Sequence, residues 1–176
     1  MAEETIQNYE DVTVYPLDDE LREKLLLEQN ECSFLWGTKD HWPMGVIMSY
    51  VWRDGKFWLT ATSQRARITA IKRDPRVSII VTSVGTSIGP SRSITVKGRV
   101  TLHDDPEIKK WFYPDLAAAI LRGAPQEMIE HFVEMLDSER RLVFEVTPEK
   151  WITYDAAKMM AASMQAAAAG QSAKVD

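Results

Sequence analysis

The residues best suited to chemistry lie in one stretch, FWLTATSQRARITAIKRDPRVSIIV, over 57–81. An apolar strand pattern there ends in hydroxyl side chains and runs directly into a helix pattern that carries two arginines. Hydroxyl groups, the free amides of a helix N-terminus and guanidinium groups all donate hydrogen bonds, and together they favour a phosphate ligand. The candidate ligands of this anion are Thr60, Thr62, Ser63, Arg65 and Arg67.

The sequence around this stretch predicts the strands and the helix that position it. Two alternating apolar segments, 45–52 and 56–62, flank Asp54-Gly55, which is a strong hairpin signal. A short helix follows over 63–74 with Ser63 as its N-cap, and Pro75 ends it. The next strand is RVSIIVTS. Arginines also occur on short helices for solubility alone, so the pattern by itself leaves that interpretation open.

The rest of the chain predicts further short strands with helices between them. Asp18 and Asp19 begin an amphipathic helix, and Gly98 interrupts an alternating strand over 93–102, which indicates a bulge or a sharp bend. Three prolines each suit the first position of a short helix, and Gly123 suits a helix stop. These prolines are Pro106, Pro114 and Pro125. The remaining strands are predicted at 32–37, 141–146 and 150–155.

This order of elements predicts the fold class. Hairpin-linked strands with one wet face are typical of antiparallel sheets, and they are too close together for a doubly wound parallel sheet. We expect a mainly β (α+β) protein: a small antiparallel split β-barrel with an N-terminal helix, one short helix between strands and a helical insert. We place an N-terminal extension at 1–16, the barrel domain at 17–155 with the insert at 106–138, and an Ala/Met-rich, partly helical tail at 156–176.

The charge of the chain is unevenly distributed. The net charge is −5, but residues 53–110 contain 12 Lys/Arg and 5 Asp/Glu, a balance of +7. The negative net charge argues against a general nucleic-acid coat protein, and the basic middle indicates a local anion site. A barrel that binds single-stranded nucleic acid through basic strands and exposed aromatic residues is the non-catalytic alternative. Because the positive residues are spread over helix and strand, we prefer one compact anion site.

Several other function classes lack their sequence signals. Cys32 is the one cysteine and lies in an apolar run, so it is predicted to be a buried small hydrophobe and no internal disulfide is possible. The three histidines have no metal-ligand spacing, and no nucleotide-loop or nucleophile motif is present. No apolar run approaches the roughly 18 residues of a membrane span, and the first residues lack the apolar core of a signal peptide. We expect a cytoplasmic protein.

The phosphate-site stretch resembles the pyridoxamine 5′-phosphate oxidase-like family of FMN-binding split barrels. In this chain the matching segment runs from Thr60 to Ile80, with Arg67 eight residues before Pro75. The hairpin at Asp54-Gly55, the strand ITVKGRVTL and the closing PEKWITYD are also similar to the family. The resemblance covers about residues 31–155.

The resemblance implies a cofactor, a partner and site residues. It implies a homodimer with FMN at the subunit interface and a small planar substrate. Thr60, Thr62, Ser63, Arg65 and Arg67 would hold the FMN phosphate. Met48, Ser49, Tyr50 and Val51 would line the edge of the isoalloxazine ring. No protein nucleophile is needed, because the cofactor carries the redox chemistry.

Departures from the family pattern narrow the expected activity. The vitamin-forming oxidases carry Arg-Lys at the phosphate site, where this chain has Ala66-Arg67, and their Arg/His cluster after the last tryptophan is missing after Trp151. We therefore expect an FMN-dependent oxidoreductase that is not pyridoxamine phosphate oxidase itself. A deazaflavin-dependent reductase and a non-catalytic flavin carrier or sensor are the alternatives.

Overall fold

The computed structural model describes residues 11–168. Residues 1–10 of the predicted N-terminal extension and residues 169–176 of the tail lie outside the described part. After a 3₁₀ turn at Val12–Val14, the elements in chain order are α1 (Asp19–Glu28), β1 (Glu31–Gly37), β2 (Pro43–Ser49), β3 (Val51–Arg53), β4 (Lys56–Thr62), α2 (Ala66–Arg73), β5 (Arg76–Thr82), β6 (Arg92–His103), α3 (Pro106–Ile120), α4 (Gln126–Leu136), β7 (Arg141–Asp155) and α5 (Ala156–Ala168).

The strands form one antiparallel sheet whose two edges are adjacent in the chain. Its order is β2-β1-β5-β6-β7-β4-β3. The edge strands β2 and β3 are separated only by Tyr50, so the sheet curls until one chain segment serves both edges. The predicted antiparallel split barrel is confirmed, with β2 and β3 as the two edges of the sheet.

The prediction of one strand over 45–52 is wrong, because the structure breaks this segment at Tyr50. The segment before the break pairs with β1 and the segment after it pairs with β4. Tyr50 holds the bend with its N–H, which donates to the Asn30 carbonyl (3.0 Å), and with its hydroxyl, which donates to the Leu26 carbonyl (3.1 Å). A local alternation of apolar residues cannot reveal that a strand changes partners.

The core has two parts, one inside the curled sheet and one outside it. Inside, Phe34, Phe57 and Phe144 pack with α1 and α2. Outside, the other face of β4 and β7 is covered by α3 and α4, in a cluster that includes Trp58, Tyr113 and Val143. The helical insert therefore packs on the outer face of the barrel, directly over the strand that leads to the predicted phosphate site.

Gly98 marks a bulge, as predicted. The β6–β7 register shifts between Lys97 and Gly98, so that Gly98 pairs with Pro148 and Glu149 becomes the extra residue of β7. The two predicted closing strands, 141–146 and 150–155, are wrong because β7 is one continuous strand. The bulge accommodates Pro148, which has no N–H for the ladder, without ending the strand.

Two helix starts also differ from the prediction. Ser63 is not the N-cap of α2; Arg65 is, and the Ser63 N–H instead donates to the Arg140 carbonyl (2.7 Å), which extends the β4–β7 pairing by one residue. Pro114 does not begin a helix but lies inside α3, where the buried side chains on both sides of it keep the helix continuous. Pro106 begins α3 as predicted, whereas Pro125 is the N-cap of α4.

The remaining turns follow the sequence. Asp54 and Gly55 both have positive φ (54° and 74°), which suits a two-residue hairpin between β3 and β4. Cys32 is buried, and burial raises the pKa of its thiol to about 12. Within residues 11–168, no helix is long and apolar enough to cross a membrane.

Candidate functional site

The predicted phosphate site is a strand–turn–helix junction. β4 ends at Thr62 and α2 begins at Ala66, and the Arg65 N–H donates to the Thr62 carbonyl (3.0 Å), which closes the turn between them. The N-cap residue Arg65 makes no capping bond with its side chain, and the first turn of α2 contains no acidic residue. The start of α2 therefore has partial positive charge that no neighbouring carboxylate in that turn offsets.

Arg67 is the most constrained cation at this junction. Its side chain is half-buried, and its Nε is buried without a hydrogen-bond acceptor among the described residues. Burial lowers the pKa of Arg67, and the positive charge of Arg65 lowers it further. Neither arginine forms an ion pair with a described residue. Because a half-buried cation without a partner is unfavourable, this pair of arginines suits an anionic ligand.

The three predicted hydroxyl groups differ in availability. Thr62 is half-buried and Ser63 is exposed, and both lie at the turn itself. Thr60 lies two residues earlier on β4, and its hydroxyl donates to the Leu142 carbonyl (2.8 Å). The structure thus gathers Thr62, Ser63, Arg65 and Arg67 at the junction, while the Thr60 hydroxyl is already engaged with β7.

The four residues predicted to line a ring lie on alternating faces of one bent strand. The side chains of Met48 and Tyr50 are buried in the inner core, and burial raises the pKa of the Tyr50 phenol well above its ordinary value. Ser49 and Val51 are half-exposed. Side-chain contact with a ligand on the outside of the barrel would thus come from Ser49 and Val51, with Met48 and Tyr50 contributing backbone.

An aromatic cluster lies beside Val51 on the same outer surface. Trp58 and Trp111 meet edge to face with ring centroids 5.0 Å apart, and the Arg53 guanidinium lies 4.3 Å from the Trp111 ring centroid. Val51 packs against this cluster. The outer surface of β3 and β4 therefore carries two packed indole rings, Trp58 from β4 and Trp111 from the helical insert.

Glu145 is the main buried acid near this cluster. Burial raises its pKa, but the bond from Lys56 Nζ (2.5 Å), with those from Thr147 and His103, outweighs burial, so that its pKa lies below the ordinary value. The carboxylate is satisfied by these donors and leaves the arginines at the junction unpaired. Among the described residues, no group of three His, Cys, Asp or Glu could hold a metal ion.

Sequence reasoning missed one residue of this junction. Arg141 is the cross-strand partner of Thr62, and its Nε is also buried without an acceptor among the described residues. The signal that could have revealed it is the pairing of the closing strand with β4. That pairing joins residues 79 positions apart in the sequence, 62 and 141, and no local pattern indicates it.

A groove of about 460 Å³ lies at the other end of α2, lined in part by Trp36, Val77 and Gly98. Arg76 at its edge is paired with Asp74, and this bond lowers the pKa of the Asp74 carboxyl to about 2. The charged groups of this groove are partly neutralised by one another. The junction at the start of α2 is accordingly the better candidate for an anion.

Comparison with known proteins identifies the family that this chain resembles. The family model for pyridoxamine 5′-phosphate oxidase matches residues 17–155, nearly the whole barrel with its insert. This chain belongs to the pyridoxamine 5′-phosphate oxidase family. The match begins at Leu17 and ends at Asp155, so it includes both the junction and the closing strand. Comparison with curated proteins gives no match.

Solved structures of similar fold extend the comparison for this family member. A conserved hypothetical protein from Mycobacterium tuberculosis superposes with a TM-score of 0.70 at 17% identity, over 82% of this chain and 88% of that one. A protein titled F420 reductase gives 0.55 at 22% identity, over 74% and 94%. An FAD-binding protein from Mesorhizobium loti gives 0.54 at 17% identity, over 78% and 92%. At these sequence identities, the comparison shows a similar fold and nothing more.

Proposed function

We propose that this family member is an FMN-binding oxidoreductase that acts on a small planar substrate and is not pyridoxamine phosphate oxidase itself. The observation that carries the proposal is the unpaired, half-buried Arg67 beside Arg65 at the uncapped start of α2. Two guanidinium groups, two hydroxyl groups and helix amides suit the charge and the acceptor oxygens of a phosphate monoester.

The spacing between the junction and the residues predicted to line the ring suits a ligand with a phosphate at one end and a ring at the other. Val51 pairs with Trp58, and Thr62 lies four residues further along β4, about 13 Å away at the usual strand rise. In the proposal the phosphate lies at the junction and the ring extends towards Ser49 and Val51. FMN would supply the electron transfer, while this chain binds the phosphate, orients the ring and excludes water with its two packed indole rings.

We propose a homodimer on the basis of an outward-facing apolar row. Ile47, Ile80 and Ile152 are 66%, 37% and 50% exposed, on strands β2, β5 and β7. Ser33 and Thr95 connect them in direct cross-strand register, so the row crosses five neighbouring strands. Five strands span roughly 19 Å, and a band of exposed isoleucines of that width, spaced by Ser33 and Thr95, is a typical protein–protein contact surface. A second copy of this chain is the proposed occupant.

Replacing Ile80 with Glu is expected to shift the protein from dimer to monomer, because it introduces a charge in the middle of the row. The measurement is mass by light scattering on a sizing column. Met135→Glu is the matched control, since Met135 is an exposed apolar residue of α4 outside the row and its change should leave the dimer intact. A monomeric parent protein, or a dimer retained in Ile80→Glu, would contradict the proposal.

A deazaflavin-dependent reductase is the second candidate. The structural likeness to the protein titled F420 reductase favours it, as does a site that selects for phosphate and not for one particular ring. A deazaflavin and FMN differ in the ring, so junction residues that contact only the phosphate do not distinguish between them. Cofactor identity separates the two candidates.

The test of the proposed function is the ligand that copurifies with the protein. We expect the purified protein to be yellow, with the two absorption bands of an oxidised flavin, and the mass of the released ligand to be that of FMN. The mass of a deazaflavin would favour the second candidate. If the protein neither retains nor rebinds any flavin or deazaflavin, the proposed function is wrong. Reduction of the bound cofactor by a nicotinamide donor would then separate an enzyme from a carrier.

A further inference from the structure

Two donor groups beneath the helical insert have no acceptor. The Tyr113 hydroxyl and the Arg141 Nε are both buried without a hydrogen-bond partner among the described residues. Tyr113 is 3% exposed, and Arg141 forms no ion pair within residues 11–168. A buried donor that lacks an acceptor destabilises a fold.

The sheet register places Arg141 beside the phosphate junction. Directly paired residues of antiparallel strands point to the same face, so Arg141 and Thr62 are neighbours on the outer face of the barrel. The Ser63 N–H donates to the carbonyl of the preceding residue, Arg140 (2.7 Å), which fixes the turn against the start of β7.

The same register connects Tyr113 to Arg141. Val143 is the next residue of β7 on that outer face, and it packs in the cluster that contains Tyr113. Burial raises the pKa of Tyr113 to about 12, against the opposing effect of the nearby Arg141 charge, while Asp137 and Asp104 raise it further. The phenol therefore stays protonated at neutral pH and remains a donor.

We propose that Arg141 and Tyr113 bind the same anionic group as Arg65 and Arg67, which is the phosphate of the cofactor. The inference rests on the proposed function and adds a second wall to the site, contributed by the closing strand and the helical insert. In the structure the Tyr113 hydroxyl and the Arg141 Nε make no hydrogen bond with each other, and an acceptor with several oxygens can satisfy both. The adjacent Thr62 makes this acceptor the ligand of the junction.

The test compares FMN with riboflavin, which has the same ring without the phosphate, in Arg141→Met. We expect FMN affinity to fall about 10- to 100-fold, the effect of one charge-assisted hydrogen-bonding group, with riboflavin affinity unchanged. Flavin fluorescence during titration measures both. Arg140→Met is the matched control, because Arg140 is the adjacent exposed arginine, and its change should alter neither affinity.

A stability measurement separates ligand binding from a structural role. Without ligand, Arg141→Met removes a buried donor that lacks an acceptor, so its thermal midpoint should equal or exceed that of the parent, while the upward shift caused by FMN should shrink. Tyr113→Phe should reduce FMN affinity about 3- to 10-fold, since it loses one hydrogen bond from an uncharged donor.

The outcomes distinguish this inference from the proposed function. If the parent binds FMN and Arg141→Met binds it equally well, this inference alone is overturned. Equal losses of FMN and riboflavin affinity, or a large fall in the ligand-free thermal midpoint, also overturn it. If the parent binds neither flavin, the proposed function and this inference both fail.

Discussion

Replacing Arg65 and Arg67 together with alanine is expected to weaken FMN binding by about 100- to 10,000-fold, since each guanidinium-to-phosphate contact contributes about 1.5–3 kcal/mol. Arg67 has a buried Nε without an acceptor within residues 11–168, and Arg65 adds a second positive charge close enough to lower the pKa of Arg67. The measurement is the dissociation constant from a flavin fluorescence titration at fixed ionic strength.

The matched control for this variant is on the same helix. Lys72 and Arg73 lie in the last turn of α2, so Lys72→Ala with Arg73→Ala removes the same formal charge from the opposite end. We expect that control to change FMN affinity less than about threefold, because both side chains are exposed at the far end of α2, where solvent and salt weaken their effect on the junction. Comparable losses in both double variants would assign the effect to net charge and would contradict a phosphate site at the junction.

Replacing Gly98 with alanine is expected to destabilise the protein by about 1–3 kcal/mol, the usual cost of overpacking a tight contact. A Cβ at this position would lie 2.6 Å from the Thr147 carbonyl oxygen and 2.9 Å from Val146 Cγ1. The oxygen belongs to backbone that the β6–β7 ladder holds at the bulge, so it cannot move away without breaking neighbouring hydrogen bonds. Urea unfolding monitored by tryptophan fluorescence measures the change.

Gly37→Ala is the control for the glycine change itself. Gly37 ends β1, and a Cβ there would meet nothing within 4 Å. We expect its free energy of unfolding to stay within about 0.5 kcal/mol of the parent or to rise slightly, since alanine restricts the unfolded chain. A stability of Gly98→Ala equal to that of Gly37→Ala would show that the bulge can relax, against the close approach seen here.

Much of the fold could be predicted because its signals are local. The Asp54-Gly55 hairpin, the strand over 93–102 with its bulge at Gly98, and the short helix after β4 each follow from residues within one turn or one strand. The pairing of strands, by contrast, depends on residues far apart in the sequence. The break at Tyr50 arises because one segment meets β1 on one side and β4 on the other, which depends on curling of the whole sheet.

The helical insert also shows where prediction from local sequence fails. Pro114 is an unfavourable residue inside a helix, since it removes a hydrogen bond, and local chemistry alone favours a helix start there. In the structure it lies inside α3 between buried residues, including Phe112, Tyr113 and Leu116. Packing of these side chains against Trp58 and Val143 outweighs the local preference.

The residues of the candidate site also differ in whether a local sequence pattern could reveal them. Residues 60–67 are one continuous segment, so their grouping is readable from the sequence, and the structure gathers four of the five predicted residues at the junction. Arg141 lies beside the junction only through strand pairing, and Tyr113 packs near Val143 only through the fold of the insert. The residues of the proposed second wall therefore come from the tertiary structure and not from a local pattern.

The central claim is that the start of α2 binds the phosphate of a flavin, and the most direct measurement is a paired titration of the ligand-free protein with FMN and riboflavin. The account predicts saturable FMN binding at one molecule per chain and riboflavin binding at least about 100-fold weaker, because the phosphate contacts supply most of the difference. Equal affinity for FMN and riboflavin, or no binding of FMN, would contradict it.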